Sequence, residues 1–148
     1  DPWATRMGVE SALLAKRAQV KIIPQLEQDL PLINMDSKRL LQVFLNLLEN
    51  AIQHLPRDGT VIVESKEIRQ DKRQWIVCTV KDTGPGFQED DLPRIFEPFF
   101  TRRRGGTGLG LSIVQKIVEE HGGKISAENR PEGGASISVR FPVAAAGE

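Results

Sequence analysis

Cysteine is almost missing from this chain, with Cys78 alone among 148 residues. One thiol cannot close an internal disulfide, and its place in the strand-like run Trp75-Ile76-Val77-Cys78-Thr79-Val80 gives it the role of small apolar filler. Histidine is nearly as scarce: His54 and His121 are the only two, which leaves a structural zinc site without a ligand set. Net charge is absent as well. Twenty acidic and twenty basic residues cancel, so no global field draws the protein toward nucleic acid or an anionic membrane. Long apolar runs are lacking too. Stretches such as Val43-Phe44-Leu45 are broken within a few positions, which excludes a spanning helix, and the first segment lacks the apolar region of a secretory signal. There is no internal repeat. What remains, 39% apolar residues in a chain of this length, suits one globular domain with a real core.

Residues Arg6 to Ala18 are expected to form a helix, and Val20 to Leu26 a strand that Pro24 confines to a sheet edge. Asp36-Ser37 offers a helix cap ahead of the most periodic segment in the chain. There Leu40, Leu41, Phe44, Leu45, Leu48, Ala51, Ile52 and Leu55 fall on one helical face, and Gln42, Asn46, Glu49, Asn50 and Gln53 on the other. After the Pro56-Arg57-Asp58-Gly59 turn, Thr60 to Ile68 and Gln74 to Asp82 read as a hairpin joined by Arg69 to Arg73. Strict alternation puts Ile76, Cys78, Val80 and Asp82 on one face. Asp82 therefore ends a strand on the core side, where a carboxylate is costly unless something pairs with it. Gly84 to Gly108 reads as a long functional loop. A helix to about Glu120 follows, with Ile113, Val114, Ile117 and Val118 as its buried stripe and Gly122-Gly123 as its stop. Lys124 to Glu128 and Ala135 to Phe141 make a closing hairpin, and residues 143–148 an expected disordered tail. The elements mix without the alternation of a doubly wound sheet. The expected fold is a two-layer α/β sandwich, a mixed and mostly antiparallel sheet of about five strands on three helices.

Three clusters can carry chemistry. Asn46 and Asn50 lie one helical turn apart, about 6 Å between them, and an amide oxygen is a suitable neutral ligand for a hard cation such as Mg²⁺. Asp82, at a strand end, can accept a hydrogen bond from an exocyclic amine such as that of adenine. Gly84 and Gly86 after it permit close backbone approach to a flat ring. Gly105-Gly106-Thr107-Gly108-Leu109-Gly110 opens a helix whose N-terminal amides and dipole favour phosphate. No Gly-Lys-Ser/Thr follows, so it is not a Walker A loop. Arg102-Arg103-Arg104 precedes it and can reach a polyphosphate. A nucleic-acid patch is disfavoured by the zero net charge and the lack of interleaved aromatics.

Asn46-Leu47-Leu48-Glu49-Asn50-Ala51, Asp82-Thr83-Gly84-Pro85-Gly86, Phe96-Glu97-Pro98-Phe99-Phe100 and Gly106-Thr107-Gly108-Leu109-Gly110-Leu111 occur in this order. Together they resemble the N, G1, F and G2 boxes of the sensor histidine kinase ATP-binding domain, over about Arg6 to Pro142. The Phe-Glu-Pro-Phe-Phe-Thr run and arginine-rich lid look most like the nitrogen-regulation type. The resemblance implies a Bergerat-type ATP pocket in which Asn50 holds Mg²⁺, Asp82 takes the adenine amine, Gly84 and Gly86 shape the base pocket, Phe87 helps bind the nucleotide and Ile95 touches the base. Gly106, Thr107, Gly108, Leu109, Gly110 and Leu111 would wrap the phosphates under a lid, and His54 would line the site. Histidine kinases often place a lysine where this chain has Gln53, and a lid arginine, Arg102 or Arg104, is the expected substitute. Hydrolysing relatives carry a glutamate at the position of Asn46, and a carboxamide is no general base at neutral pH. The resemblance therefore implies phosphoryl transfer by Asn46, Asn50, Arg102 and Arg104 to a partner rather than to water. That partner would be a histidine on a separate dimerisation domain, since neither His54 nor His121 sits in an acceptor motif. A response-regulator receiver domain would follow in the relay. The implied location is the cytoplasm, the isolated domain is expected to be monomeric, and residues 1–5 are expected to be the remnant of a linker. An anti-sigma-type serine kinase and a nucleotide-regulated binding module are the alternatives.

Overall fold

The computed structural model describes residues 16, 19–26, 36–56, 58–100 and 110–143. Its longer helix, α1 (Ser37–Gln53), begins where the sequence offers a cap. The Asp36 side chain accepts a hydrogen bond from Lys38 N at 2.8 Å, satisfying an amide that has no partner within the helix. Leu41, Phe44, Leu48 and Ala51 bury the expected stripe, but Val43 and Leu47 are buried too, at 1% and 2% exposure. Both fall outside the single apolar face read from the sequence. Burial extends around the helix because α1 packs against strands on one side and the second helix on another.

Five strands, β1 (Lys21–Leu26), β2 (Thr60–Gln70), β3 (Arg73–Asp82), β4 (Lys124–Asn129) and β5 (Ala135–Pro142), form one sheet in the order β1-β2-β3-β5-β4. β1 runs parallel to β2, and the other neighbours are antiparallel, so the sheet is mixed and mostly antiparallel as expected. The β2–β3 link is only Asp71-Lys72, shorter than the segment read from the sequence. Both residues have positive φ, 53° and 63°, the combination whose twist suits a two-residue hairpin. β1 lies at the edge, where Pro24 costs the sheet least.

Two α-helices, rather than three, occur among the described residues. The second is α2 (Gly110–Glu120), and the expected helix over Arg6 to Ala18 lies outside the described residues apart from Lys16, which is helical. The buried stripe of α2 is Leu111, Val114, Ile117 and Val118, whereas Ile113, expected in that stripe, is 37% exposed. A stripe centred near Val114 takes in Leu111 and leaves Ile113 about 100° away around the helix. The helix ends at the expected glycines: Gly122 N donates to Glu119 O at 3.1 Å and Gly123 N to Val118 O at 2.9 Å, the paired bonds of a Schellman ending. α1 and α2 share one core with the inner face of the sheet, through Val61, Val63, Val80, Ile137, Val139 and Phe141. Val143, where fraying was expected to begin, still donates to Gln74 O at 3.0 Å. No described helix is long and apolar enough to cross a membrane.

Candidate functional site

β3 alternates inward and outward until its last residue, and that residue is Asp82. Its side chain lands on the core side with 5% exposure, as the sequence pattern predicts. Two backbone amides meet the cost of burying it: Gly84 N at 2.9 Å and Ala135 N at 3.2 Å both donate to Oδ1. Among the described residues no hydrogen bond reaches Oδ2. One oxygen thus fixes the carboxylate, and the other is left able to accept from a ligand.

The loop after Asp82 is held by the turn between β4 and β5, a contribution that sequence reasoning missed. Asn129 grips the Phe87 peptide at both ends, with Oδ1 accepting from Phe87 N and Nδ2 donating to Phe87 O, each at 2.8 Å. Arg130 Nη1 donates to Asp82 O at 2.8 Å, while Glu132 pairs with Arg130 Nε at 3.4 Å. Gly134 has φ +90°, and a Cβ there would overlap Asp82 O. Only glycine combines that backbone geometry with so close an approach. In the sequence the Gly133-Gly134 pair between the two closing strands signals a hairpin turn and nothing more.

The C-terminal end of α1 faces this loop. A Cβ on Gly84 would come within 2.6 Å of His54 O, so the expected glycine is required by contact with the helix end. Gly86 has φ +80°, and a Cβ on it would lie 2.8 Å from Asn129 Oδ1. The Phe87 and His54 rings meet edge to face, 5.3 Å between centroids and 66° between planes. His54 Nδ1 lies 2.7 Å from Asn50 O. A carbonyl only accepts, so Nδ1 carries the proton and Nε2 of the neutral ring is an acceptor. His121 makes the same bond to Ile117 O at 2.7 Å, at the end of α2.

Asn46 and Asn50 are half-buried on α1, and Glu49 and Gln53 are exposed. Neither carboxamide has a hydrogen-bond partner among the described residues. No three His, Cys, Asp or Glu side chains gather to hold a metal among those residues either. A cation bound here would draw on neutral amide oxygens and on its ligand's own phosphates, the manner in which Mg²⁺ is usually held.

Ile95 is 4% exposed and lies within the core, with Phe87, Leu92, Phe96 and Phe100 packed against that core. Gly110 opens α2, and Leu111 is buried behind it. Arg102, Arg104, Gly106, Thr107, Gly108 and Leu109 lie outside the described residues. On the near side of that segment Phe99 has φ +67° and is 74% exposed. An open groove of about 560 Å³ is lined by Phe96, Pro98, Ile113, Lys116 and Glu119 among others.

Residues 35–145 match the family described as histidine kinase-, DNA gyrase B- and HSP90-like ATPases. The chain is 40% identical to the sensor histidine kinase ZraS of Salmonella typhi over 131 residues, 88% of this chain and 28% of the relative. It is also 40% identical to sporulation kinase A of Bacillus subtilis over 139 residues, 92% of this chain and 22% of that one. It thus spans about a quarter of the length of these curated relatives. Among solved structures, the catalytic domain of histidine kinase ThkA superposes with a TM-score of 0.82 at 30% identity, covering 96% of this chain and 91% of that one. Full-length ShkA in complex with AMPPNP superposes with a TM-score of 0.77 at 30% identity, over 99% of this chain and 31% of that one.

Proposed function

Because the chain belongs to the family of histidine kinase-, DNA gyrase B- and HSP90-like ATPases, we propose that it is the catalytic domain of a two-component sensor histidine kinase. It binds ATP with Mg²⁺ and passes the γ-phosphoryl group to a histidine on a separate dimerisation domain, for relay to a response-regulator receiver domain. The observation that carries this reading is Asp82: a buried carboxylate with one oxygen tied to two amides and the other without a partner among the described residues. That is the acceptor an adenine amine requires, and it repels the carbonyl that guanine presents in its place. Gly84, Gly86 and Phe87 would shape the base site, with His54 lining it and Ile95, 4% exposed, assigned to touch the base from the core side.

The half-buried carboxamides of Asn46 and Asn50 fit the role of neutral cation ligands. Asn50 would hold Mg²⁺, which when bound supplies charge neutralisation to the triphosphate. The amides that open α2 at Gly110 and Leu111 favour phosphate through the helix dipole. Gly106, Thr107, Gly108 and Leu109 are assigned to the phosphates as well, and Arg102 and Arg104 would supply the cationic contacts that Gln53 does not. As the γ-phosphorus bonds to an imidazole nitrogen of the partner, its bond to the bridging oxygen breaks and ADP leaves. With Asn46 where a water-activating glutamate would stand, positioning and electrostatics perform the transfer.

Exposed Phe99 and the groove along α2 are suited to the helix that brings the histidine. The finer likeness to nitrogen-regulation sensors rests on Phe96 to Thr101 and the arginine run. The test is transfer of labelled γ-phosphate from ATP to an added helix hairpin bearing the histidine of the parent kinase. Label on the hairpin histidine, and none with Asp82→Asn, is the expected result. ATP hydrolysis with no labelled hairpin would overturn it.

A further inference from the structure

We propose that Asn129 is a positioning residue of the nucleotide site, setting the base-reading loop against the metal end of α1 through Phe87 and His54. This rests on the ATP-binding reading above. β4 ends at Asn129, so beyond it no strand backbone is left to pair with the loop. The Asn129 carboxamide takes over that task, accepting from Phe87 N and donating to Phe87 O at 2.8 Å each. A side-chain amide presents the same donor and acceptor as a peptide, and two such bonds fix both the position and the tilt of the Phe87 unit.

Phe87 is the pivot between the two halves of the site. Its backbone continues from Gly86, whose missing side chain leaves room for Asn129 Oδ1. Its ring meets the His54 ring edge to face, and His54 Nδ1–H is bonded to Asn50 O at 2.7 Å. A continuous chain of contacts therefore runs from the end of β4 to the residue assigned to Mg²⁺. Asn129 commits its oxygen to Phe87 and so acts through that residue. Arg130, from the turn that follows, and Ala135, which opens β5, hold Asp82 itself. Asn129 completes the grip at the far end of the loop.

The test is calorimetric titration of the wild-type chain, Asn129→Ala and Asn129→Asp with ATP and GTP, each with and without Mg²⁺. Asn129→Asp keeps the acceptor for Phe87 N–H and loses the donor to Phe87 O, so it remains informative if the alanine variant does not fold. Loss of both bonds is expected to weaken ATP binding about tenfold. It should also shrink both the preference for ATP over GTP and the gain from Mg²⁺, with the aspartate variant in between. A residue that only stabilises the fold would lower the melting temperature and leave both ratios unchanged, and that result overturns the proposal. Wild-type protein that binds no nucleotide overturns the functional reading and this one with it. Wild-type binding beside indifferent, folded variants overturns this one alone.

Discussion

At the strand end of the site Asp82 is tied by Gly84 N, Ala135 N and, through its carbonyl, Arg130, while Asn129 clamps Phe87 five residues on. At the helix end Asn46 and Asn50 point half-buried carboxamides that meet no partner among the described residues. In the proposed site the base end is fixed by hydrogen bonds within the chain, and the Asp82 carboxylate is suited to accept from an amine. The proposed metal end would draw on its ligand's own oxygens. Substitutions at the two ends should therefore fail differently: the first through the fold and the base, the second through Mg²⁺ alone.

The largest effect is expected at Gly134. Alanine there combines φ +90° with an overlap against Asp82 O, and should cost roughly 3 kcal/mol or more in urea unfolding. Its neighbour sharpens the point. Gly133 also has positive φ, +106°, but a Cβ there meets nothing within 4 Å, so Gly133→Ala should cost only about 1 kcal/mol. Equal losses at the two positions would show that the packing against Asp82 contributes nothing. Asp82→Asn keeps an oxygen for the two amides and turns the ligand-facing acceptor into a donor. ATP affinity should fall roughly tenfold or more with the melting temperature little changed. Asn50→Ala removes a carboxamide that has no partner among the described residues and places the best helix former in α1. It should raise stability by about 0.5 kcal/mol while abolishing the Mg²⁺-dependent part of ATP binding.

The smallest effect concerns Cys78, whose thiol burial pushes up to about 11 from an ordinary 9.0. The folded state then holds a proton that the unfolded state has begun to release. Its stabilising contribution is complete below pH 9 and is lost as pH rises toward 11. Cys78→Ala should flatten that part of the stability profile measured by urea unfolding, and an unchanged slope would remove the thiol from the account.

Much of this was legible in the residues. The Asp36 cap, the alternation that turns Asp82 inward and the Gly122-Gly123 stop each rest on local geometry, which a sequence carries directly. The missed features are tertiary. Val43 and Leu47 are buried because α1 has two packing partners, and a helical wheel records one apolar face without counting neighbours. Ile113 is exposed because the stripe of α2 is centred one position further along. Asn129 and Gly134 lie more than forty residues from the loop they hold, and nothing local distinguishes them from a hairpin turn. His54 and His121 make the same carbonyl bond, and only the facing loop separates a site residue from a helix end.

The most direct question is whether the base end around Asp82 and the metal end on α1 belong to one nucleotide site. Titration of the wild-type chain with ATP and ADP, with and without Mg²⁺, measures this by calorimetry. Micromolar-range binding of both, strengthened by Mg²⁺ more for ATP than for ADP, is the predicted result. Absence of ATP binding at millimolar concentration, with the domain folded, would contradict it.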